Sequence, residues 1–325
     1  MRAIQLHEFG PPGNLVLADL PDLRPGPGQV RIRVEASGVH LLDTGLRRGE
    51  TGGPMPPPRL PTIPGREVAG TVDETGAGVD PTWRGRRVVA HLGMVPGGYA
   101  EQAVTAVDTL FEVPEHLGFP EAVAAVGTGR TALGVIEAEP PTADDVVLVP
   151  SAAGGMGWLL TQAARRAGAT VVAAARGADR VGRLRDLGAD LVVDYGRADW
   201  ADRIRQETAG LTLVYDGVGG EVGRTALELL APGGRLLMFG WSAGAPTRFD
   251  TDDVVARSLT VGWLGQRIRA LPGGIPGLAG RSLRLAADGW WQPLVSTYPL
   301  ADAATAHADL ENRRALGKVV LTVTR

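Results

Sequence analysis

The sequence contains no cysteine in its 325 residues. This absence excludes disulfide bonds, thiol catalysis and cysteine-bound zinc. No apolar run approaches the roughly 20 residues that a membrane-spanning helix needs. The first residues, from Met1 to Glu8, have the pattern of a strand and lack the apolar core and cleavage site of a signal peptide. We therefore expect a cytoplasmic protein without a membrane segment.

A strong charge of one sign is also missing. The formal net charge is -3, and both signs are interspersed along the chain. A nucleic-acid-binding surface needs a basic stripe or an arginine run, and the sequence has neither. The chain is 44% hydrophobic and 21% charged, which is typical of a globular protein long enough to form two domains. Nucleic acid is therefore not an expected partner.

Short strand-like runs dominate the chain up to about Val113. Turn residues separate these runs, which are 29–34, 68–72, 87–91 and 99–104, with one helix expected at 41–48. The proline-rich stretch 54–64 is stiff, and it is either a connector or a wall of a substrate cleft. This part of the chain is predicted to be a β-rich domain.

The periodicity changes near Phe119, after which helical patterns alternate with strands. The strands are expected at 146–149, 171–174, 191–193, 213–215 and 235–239. Repeated βα units of this size predict an α/β fold with a doubly wound parallel sheet. Its ligand is expected at the carboxyl ends of the strands. A final run at 318–323 is expected to return and pair with the first domain.

A glycine turn follows the first strand of this second region. Residues 152–157 read AAGGMG and fill the three slots of the G-x-G-x-x-G fingerprint with Ala152, Gly154 and Gly157. A strand that ends in such a turn and continues as a helix presents backbone N–H groups and a positive dipole end to a pyrophosphate. Gly154 would let the backbone approach the pyrophosphate, and Gly157 would let the helix pack on the strand. The turn therefore predicts a nucleotide cofactor.

The residues about 20 positions further along favour NADP(H) over NAD(H). An NAD site places an acidic residue there to bind the ribose 2′-hydroxyl, whereas this chain has Ala175, then Arg176 and, one helical turn later, Arg180. Guanidinium groups pair with a 2′-phosphate, which a carboxylate would repel. The alternative is that both arginines are solvated at a helix start, and Asp179 between them weakens the local positive charge.

Over its whole length the chain resembles the zinc-free quinone oxidoreductase (zeta-crystallin-like) branch of the medium-chain dehydrogenase/reductase superfamily. The segments that carry the resemblance are 37–44 (SGVHLLDT), 64–70 (PGREVAG), 97–101 (GGYAE), 152–157, 187–190 (LGAD), 215–219 (YDGVG) and 316–321 (LGKVVL). The resemblance implies a GroES-like catalytic domain over 1–122, completed by 267–325, and a Rossmann domain over 123–266 that binds NADPH. A cleft is expected to hold the nicotinamide.

The resemblance also implies a site without metal. Zinc-dependent relatives carry a cysteine at the position of His40, a histidine at the position of Arg66 and a lobe with four cysteines, none of which is present. A zinc ion needs about three protein ligands, so no metal ligand is assigned and Lewis-acid activation of an alcohol is not expected.

His40 is the candidate catalytic residue. Zinc-free relatives usually carry an asparagine there that touches the nicotinamide end of the cofactor, so His40 either takes over that contact or donates a proton. The alternative is a hydrogen-bonded histidine in the wall of the cleft. Asp43 is expected to hold the local helix, and Tyr99 is expected to be structural. Gly45 replaces a usual tyrosine, which predicts extra room for a bulky substrate.

Other cofactor contacts follow from the resemblance, position by position. The glycine turn is expected to contact the pyrophosphate through Ala153, Gly154, Gly155 and Met156. Arg176 and Arg180 are expected at the 2′-phosphate, and Tyr195 is expected near the adenine. The nicotinamide side is assigned to Thr131, Val218, Phe239, Gly240, Trp241 and Ser242, with Lys318 also approaching the cofactor. For Trp241 and Trp263, substrate stacking and a core position are both open.

The expected function is the reduction by NADPH of a quinone or a similar electron-poor conjugated carbonyl compound. An enoyl, 2-alkenal or enone reductase of a biosynthetic or detoxification pathway is one alternative. A non-catalytic NADPH-binding structural protein is another. The family commonly forms homodimers through the edges of its Rossmann sheets, and the apolar run 258–261 is the expected edge strand.

Overall fold

Short strands build the first third of the chain, as the turn and strand pattern predicts. The computed structural model describes residues 1–51, 55–94 and 96–323; Pro54, the first residue of the proline-rich loop, lies outside them. The elements of this region are β1 (Arg2–Leu6), β2 (Leu15–Asp19), β3 (Gln29–Val39), α1 (Leu41–Arg48), β4 (Glu67–Thr75), β5 (Arg87–His91), β6 (Gln102–Ala106) and β7 (Leu110–Glu112).

The middle of the chain alternates helices with strands. Its elements are α2 (Phe119–Ala124), a π-helical turn (Ala125–Gly129), α3 (Arg130–Ala138), β8 (Val146–Val149), α4 (Gly155–Arg166), β9 (Thr170–Ala175), α5 (Ala178–Asp186), β10 (Leu191–Asp194), α6 (Trp200–Glu207), β11 (Leu211–Asp216), α7 (Gly220–Glu228), β12 (Leu230–Met238), α8 (Thr251–Val255), β13 (Thr260–Trp263) and α9 (Arg267–Ala270). The last elements are α10 (Gly274–Ala287), β14 (Val295–Pro299), α11 (Ala303–Glu311) and β15 (Lys318–Thr322).

The β-rich region closes on the C-terminal strands. Its larger sheet has the order β14-β15-β3-β4-β5-β7, and β6 also pairs with β3. Strand β15 pairs antiparallel with β3, which confirms that the final strand returns to the first domain. The core of this sheet is made of small and β-branched side chains, among them Val30, Ile32, Val68 and Val88, which suit a pleated surface.

The second sheet is parallel throughout its described pairs, with the order β10-β9-β8-β11-β12-β13. Numbered within the unit, this is the 3-2-1-4-5-6 order of the dinucleotide-binding fold. The direction of winding reverses between β8 and β11, and ligands of such sheets bind where these two strands end. The predicted α/β fold, a β-rich domain plus a doubly wound sheet, is confirmed.

Two compact units result: Met1–Gly129 with Ala279–Arg325, and Arg130–Leu278. The predicted domain boundaries, after residues 122 and 266, lie earlier in the chain than the two points at which it passes from one unit to the other, after Gly129 and after Leu278. The π-helical turn belongs to the β-rich unit because Gly127 packs on Glu67 and because Ser282 donates a hydrogen bond to the Ala125 carbonyl.

Candidate active site

A histidine, a glutamate and a lysine meet inside the β-rich unit. His40 follows the end of β3, Glu67 begins β4, and Lys318 begins β15. Strand pairing places Val319 opposite Val39 and Val68 opposite Ser37. The two neighbours of β3 therefore bring a lysine and a glutamate to the point where β3 ends in His40.

The three side chains form a continuous polar contact. His40 Nε2 lies 2.5 Å from Glu67 Oε1 and 2.8 Å from Lys318 Nζ. Lys318 Nζ also donates to Glu67 Oε2 over 3.1 Å. Glu67 is fully buried and Lys318 nearly so, whereas 26% of the His40 side chain is exposed. His40 is thus the member that reaches the surface of the unit.

Two glycines leave the space that the Glu67 carboxylate fills. A Cβ on Gly127 would lie 2.2 Å from both carboxylate oxygens, and a Cβ on Gly38 would lie 2.4 Å from Oε2. Neither position accepts a side chain while Glu67 keeps its place. The position of the buried Glu67 carboxylate therefore requires glycine at both 38 and 127.

His40 Nε2 contacts both buried charges. In the tautomer that leaves this nitrogen unprotonated, it accepts a hydrogen bond from the Lys318 ammonium. The Glu67 Oε1 atom lies within ion-pair distance of the same nitrogen, although the two atoms do not form a hydrogen bond. His40 is thus in contact with both buried groups, while about a quarter of its own side chain is exposed.

Lys318 is the only lysine among the 33 basic side chains of the chain. Arginine stays charged under all ordinary conditions, whereas a lysine amine can give up its proton in a buried site.

A second buried network holds helix α1 in place. The His40 amide donates to Asp43 Oδ2 over 2.8 Å, and the Tyr99 hydroxyl lies 3.3 Å from the same oxygen. Tyr99 also lies 3.0 Å from His307 Nε2. Asp43 and Tyr99 are almost fully buried. Their contacts are with the helix start and its supports, as expected of structural residues.

Stability is expected to fall in mild acid because of His307. Burial, helped by the nearby charges of Arg47 and Arg48, lowers the pKa of His307 to about 4. The unfolded chain takes up this proton near pH 6.5, so the free energy of unfolding falls as the pH drops from about 6.5 to 4, by roughly 3 kcal/mol in total. Above pH 7 His307 is neutral in both the folded and the unfolded protein, so it no longer contributes to the pH dependence of the free energy of unfolding.

Urea unfolding at pH 7.5, 6 and 5 measures this loss. His307→Gln is expected to reduce the fall between pH 7.5 and 5, whereas His116→Gln, at an exposed position, should follow the parent protein. An equal fall in all three proteins would contradict the assignment to His307.

A cavity of about 350 Å³ lies beside this network within the β-rich unit. Its walls are mostly apolar and include much of the proline-rich loop, and four charged side chains reach it. Its lining is Leu6, Leu46, Met55, Pro56, Pro57, Pro58, Thr62, Pro64, Gly65, Met94 and Pro96, with Asp43, Arg47, Arg59 and Arg66 as the charged members. The described part of the loop is thus a cavity wall and more than a connector.

The predicted free space at Gly45 is filled differently. A Cβ on this residue would lie 2.7 Å from Glu50 Oε2, so a flexible carboxylate occupies the room that the missing tyrosine leaves. The volume available to a ligand lies instead along Arg66 and the loop.

The glycine turn adopts the geometry expected of a pyrophosphate site. Gly154 is the extended N-cap of α4, and among the described residues no side chain caps this helix. A Cβ on Gly157 would lie 2.4 Å from the Ser151 carbonyl oxygen, whereas a Cβ on Gly154 would meet its nearest described neighbour at 3.3 Å. Gly157 therefore serves close packing, and Gly154 leaves open backbone at the helix start, which fits a bound pyrophosphate.

The predicted adenosine end is assembled by β9 and β10. The Arg176 guanidinium lies 5.8 Å from the centre of the Tyr195 ring, and Ala175 ends β9 as a buried residue without charge. Asp194 accepts hydrogen bonds from the amides of Gly177 and Gly196, and so it holds the turn at the start of α5. Arg180 lies in the first turn of α5.

The residues assigned to the nicotinamide side lie after β11 and β12. Val218 and Gly219 donate their amides to Asp216, and Ser242 donates its amide to the Gly217 carbonyl. Phe239 and Gly240 follow β12 directly, and Thr131 lies in α3. These loops meet at the carboxyl ends of neighbouring strands, where a ligand of this fold binds.

Trp241 and Trp263 form an exposed pair in the same unit. Their rings lie 5.2 Å apart at an angle of 32°, and each residue is 43% exposed. Neither is a core residue, so that alternative for both positions is wrong.

Sequence reasoning placed Lys318 at the cofactor but did not find its partnership with Glu67. The structure places this lysine against His40 and Glu67 instead, and its approach to the cofactor stays a prediction. A signal was present, because Lys318 is the single lysine of the sequence and Glu67 directly precedes the apolar pair Val68 and Ala69. For Arg66 the sequence indicates only that the histidine of the zinc-dependent relatives is absent.

Neither a metal-ligand cluster nor a membrane-spanning helix is present in the residues that the structure describes. Within residues 1–51, 55–94 and 96–323, no group of three or more potential metal-ligating side chains was found. No helix in this described part is long and apolar enough to cross a membrane.

Comparison with known proteins agrees with this geometry. Residues 26–115 match the alcohol dehydrogenase GroES-like domain, and residues 155–273 match the zinc-binding dehydrogenase family. The chain is 31% identical to a 2-haloacrylate reductase from Burkholderia sp, over 98% of both chains. It is also 31% identical to quinone oxidoreductase from Mus musculus, over 99% of this chain and 97% of the relative.

A solved structure agrees along the whole chain as well. The Escherichia coli quinone oxidoreductase complexed with NADPH superposes with a TM-score of 0.86 and 28% identity, covering 99% of this chain and 100% of the other. A β-rich GroES-like unit joined to a six-stranded parallel sheet defines a medium-chain dehydrogenase/reductase. Within that superfamily, the chain belongs to the quinone oxidoreductase-like branch.

Proposed function

We propose that this chain is an NADPH-dependent reductase that transfers hydride to a quinone or a similarly electron-poor conjugated carbonyl compound. The observation that carries the proposal is the His40–Glu67–Lys318 cluster, which can supply the proton that such an acceptor needs. Relatives named quinone oxidoreductase and 2-haloacrylate reductase support this class of acceptor.

The residues that would hold the cofactor form a consistent set. The helix start at 153–156 suits the pyrophosphate, Arg176 and Arg180 suit the 2′-phosphate, and Tyr195 lies under Arg176 at the adenosine end. The nicotinamide side is assigned to Thr131, Val218, Phe239, Gly240, Trp241 and Ser242. When bound, NADPH supplies the hydride from C4 of its nicotinamide ring.

The cluster supplies the proton. Hydride addition places negative charge on the oxygen of a quinone or on the enolate of an enone, and His40 is the exposed member that can deliver a proton there. Lys318 then returns a proton to His40 across its contact with Nε2, and the adjacent Glu67 carboxylate offsets the positive charge of the pair. General acid catalysis of this kind contributes roughly 10²–10⁴-fold to the rate.

The reaction needs no metal in this proposal. An electron-poor conjugated acceptor accepts hydride without Lewis-acid activation, and the chain has no cysteine. Activity is expected to survive dialysis against EDTA, and the active protein is expected to contain less than 0.1 equivalent of zinc by mass spectrometry. Loss of activity on dialysis, restored by zinc, would contradict this.

A panel of acceptors tests the function and separates the alternatives. Oxidation of NADPH is followed at 340 nm with benzoquinones, 2-alkenals, enones and saturated aldehydes. Turnover of quinones supports the leading proposal, and turnover of enals and enones alone would assign an enone reductase. Tight NADPH binding without oxidation by any acceptor would instead identify a non-catalytic binding protein.

Cofactor preference is expected to depend on Arg176. Arg176→Ala removes a charge-assisted contact to the 2′-phosphate, worth about 1.5–3 kcal/mol, and should raise the Kd for NADPH about 10- to 100-fold while leaving the Kd for NADH within about 3-fold. Ala175→Asp is expected to favour NADH further. Arg166→Ala on α4 serves as the control, and equal loss of both cofactors in Arg176→Ala would contradict the assignment.

We also propose a homodimer formed through the edge of the parallel sheet. Strand β13 ends that sheet, shifted by two residues from the predicted edge run 258–261, and an unpaired edge favours pairing with another strand. Light scattering on the purified protein tests the mass in solution. The cytoplasmic location stays a prediction from the sequence.

A further inference from the structure

Arg66 is a buried arginine whose side chain reaches the 350 Å³ cavity. It directly precedes Glu67 at the start of β4, and only 9% of the residue is exposed. Buried charges are normally paired and fully hydrogen-bonded, because an unsatisfied buried charge is costly. Arg66 is an exception, because its guanidinium is not fully hydrogen-bonded within the described residues.

The donors of the Arg66 guanidinium lack a strong acceptor among the described residues. Its nearest carboxylate oxygen, Asp43 Oδ1, lies 3.6 Å from Nη2, which is beyond a normal hydrogen bond. Nη1 faces the Met55 sulfur, a weak acceptor. The buried Nε has no partner within the part of the chain that the structure describes. A fork of N–H donors is therefore left for a ligand.

The other two arginines that line the cavity, Arg47 and Arg59, are less suited than Arg66 to bind an anionic ligand. Arg47 is buried and held by the Gly10 carbonyl and by Glu311, so its charge is already paired. Arg59 is exposed. The remaining lining is mostly proline, leucine and methionine, and the volume lies at the lower end of the range for small-molecule sites. A small ligand with an anionic end and a short apolar body fits this combination.

We propose that Arg66 binds the carboxylate of the acceptor, so that the preferred acceptors are short α,β-unsaturated carboxylates. The inference rests on the proposed reductase function and extends its acceptors from neutral electron-poor carbonyl compounds to conjugated alkenes that carry a carboxylate. A planar guanidinium pairs with a carboxylate through two parallel hydrogen bonds. Arg66 is preferred over Arg47, whose buried Nε also lacks a partner among the described residues, because the Arg47 charge is already paired with Glu311, whereas no described carboxylate lies within hydrogen-bond distance of Arg66.

The same contact serves the chemistry. A free carboxylate makes a conjugated alkene a poor hydride acceptor, since the product of hydride addition carries a second negative charge. Arg66 offsets that charge as the hydride bonds to the β-carbon and the electron pair of the double bond moves towards the carboxylate. A proton from the His40 cluster then bonds to the α-carbon. The balance is one alkenoate, one NADPH and one proton to one saturated carboxylate and one NADP⁺.

The test pairs a binding measurement with a rate measurement. Calorimetry measures the Kd of butanoate, a non-reacting analogue, for the full-length protein with NADP⁺ present. The kcat/KM for 2-butenoate and for uncharged 3-buten-2-one is measured with NADPH. The variants are Arg66→Met, Arg66→Lys, which keeps the charge without the fork, and Arg59→Met as the matched control on the same loop. Circular dichroism melts establish that each variant is folded.

Arg66→Met is expected to weaken butanoate binding and to lower kcat/KM for 2-butenoate, each about 10- to 100-fold, with less than about 3-fold change for the ketone. Arg66→Lys should fall between, and Arg59→Met should match the parent. Equal butanoate affinity in the parent and Arg66→Met, or no binding to the parent, overturns the proposal. Butanoate binding that depends on Arg66 in a protein that reduces no acceptor would refute the proposed function and leave the carboxylate site standing.

Discussion

Replacing Lys318 by methionine is expected to lower kcat by roughly 10²–10⁴-fold and the free energy of unfolding by about 3 kcal/mol. The rate falls because the cluster loses the group that supplies the proton to His40. The stability falls because the Glu67 carboxylate, fully buried, loses the ammonium that neutralises it. Urea unfolding and NADPH oxidation with a benzoquinone measure the two effects separately.

The double variant Lys318→Met with Glu67→Gln separates chemistry from structure. It removes both buried charges, so most of the lost stability should return, because a buried pair replaced as a whole is often close to neutral. The rate should stay low, because no proton source is restored. Recovery of the rate together with stability would show that the cluster only supports the fold.

Arg235→Met provides a matched control in the other unit. Arg235 pairs with Asp145 over 2.6 Å, and hydrogen bonds from Arg235, Thr142 and Thr212 lower the pKa of Asp145 to about 2 against the opposing effect of its burial. Breaking this pair should also reduce stability. It should leave kcat unchanged, because the pair lies at the amino end of β8, away from the end where ligands bind.

The fold could be predicted from the sequence wherever the residues of one helix or strand determine its bounds without help from distant residues. Helix α1 spans Leu41–Arg48, as predicted, because Asp43 caps its start and Gly49 ends it in the left-handed conformation with a φ of 75°. Strand β13 begins and ends two residues later than the edge run predicted at 258–261. Ser258, the first residue of the predicted run, adopts a φ of 52°, which is not a strand conformation, and an amino-acid pattern does not reveal such a conformation at a serine.

The candidate site was less predictable because its residues are far apart in the chain. Lys318 is 251 positions from Glu67, and only the pairing of β15 and β4 on either side of β3 brings them together. Local periodicity carries no information on that pairing. Arg176 and Tyr195, in contrast, follow strands of a fold whose order is known once the βα repeat is recognised. Their proximity was therefore accessible through the fold class.

In the glycine turn, the structure distinguishes two glycines that the sequence fingerprint treats alike. Gly157 and Gly154 both fit the sequence pattern, yet only Gly157 is closely surrounded by backbone. Its Cβ would lie 2.4 Å from the Ser151 carbonyl oxygen and 2.7 Å from the Ala152 Cα. Because the backbone of the turn cannot move aside as a side chain can, Gly157 is required by the fold, and we predict that Gly154 is the glycine that the cofactor approaches.

Gly157→Ala is therefore expected to destabilise the protein even without cofactor. Overpacking against backbone should cost about 3 kcal/mol, which corresponds to a fall in Tm of roughly 5–10 °C. Displacement of α4 from β8 should also weaken NADPH binding. Calorimetric melts of the cofactor-free protein measure the first effect, and fluorescence titration with NADPH measures the second.

Gly154→Ala is the matched comparison, and it should separate binding from folding. Its Cβ would lie 3.3 Å from the Ser151 carbonyl oxygen, and the backbone at φ -82°, ψ 165° is open to alanine. The Tm without cofactor should therefore change by less than about 2 °C. The Kd for NADPH should rise at least about 10-fold, because the added methyl group lies where the backbone approaches the pyrophosphate. An unchanged Kd in Gly154→Ala would show that the pyrophosphate does not pass over this residue, and an equal loss of Tm in both variants would contradict the division of roles.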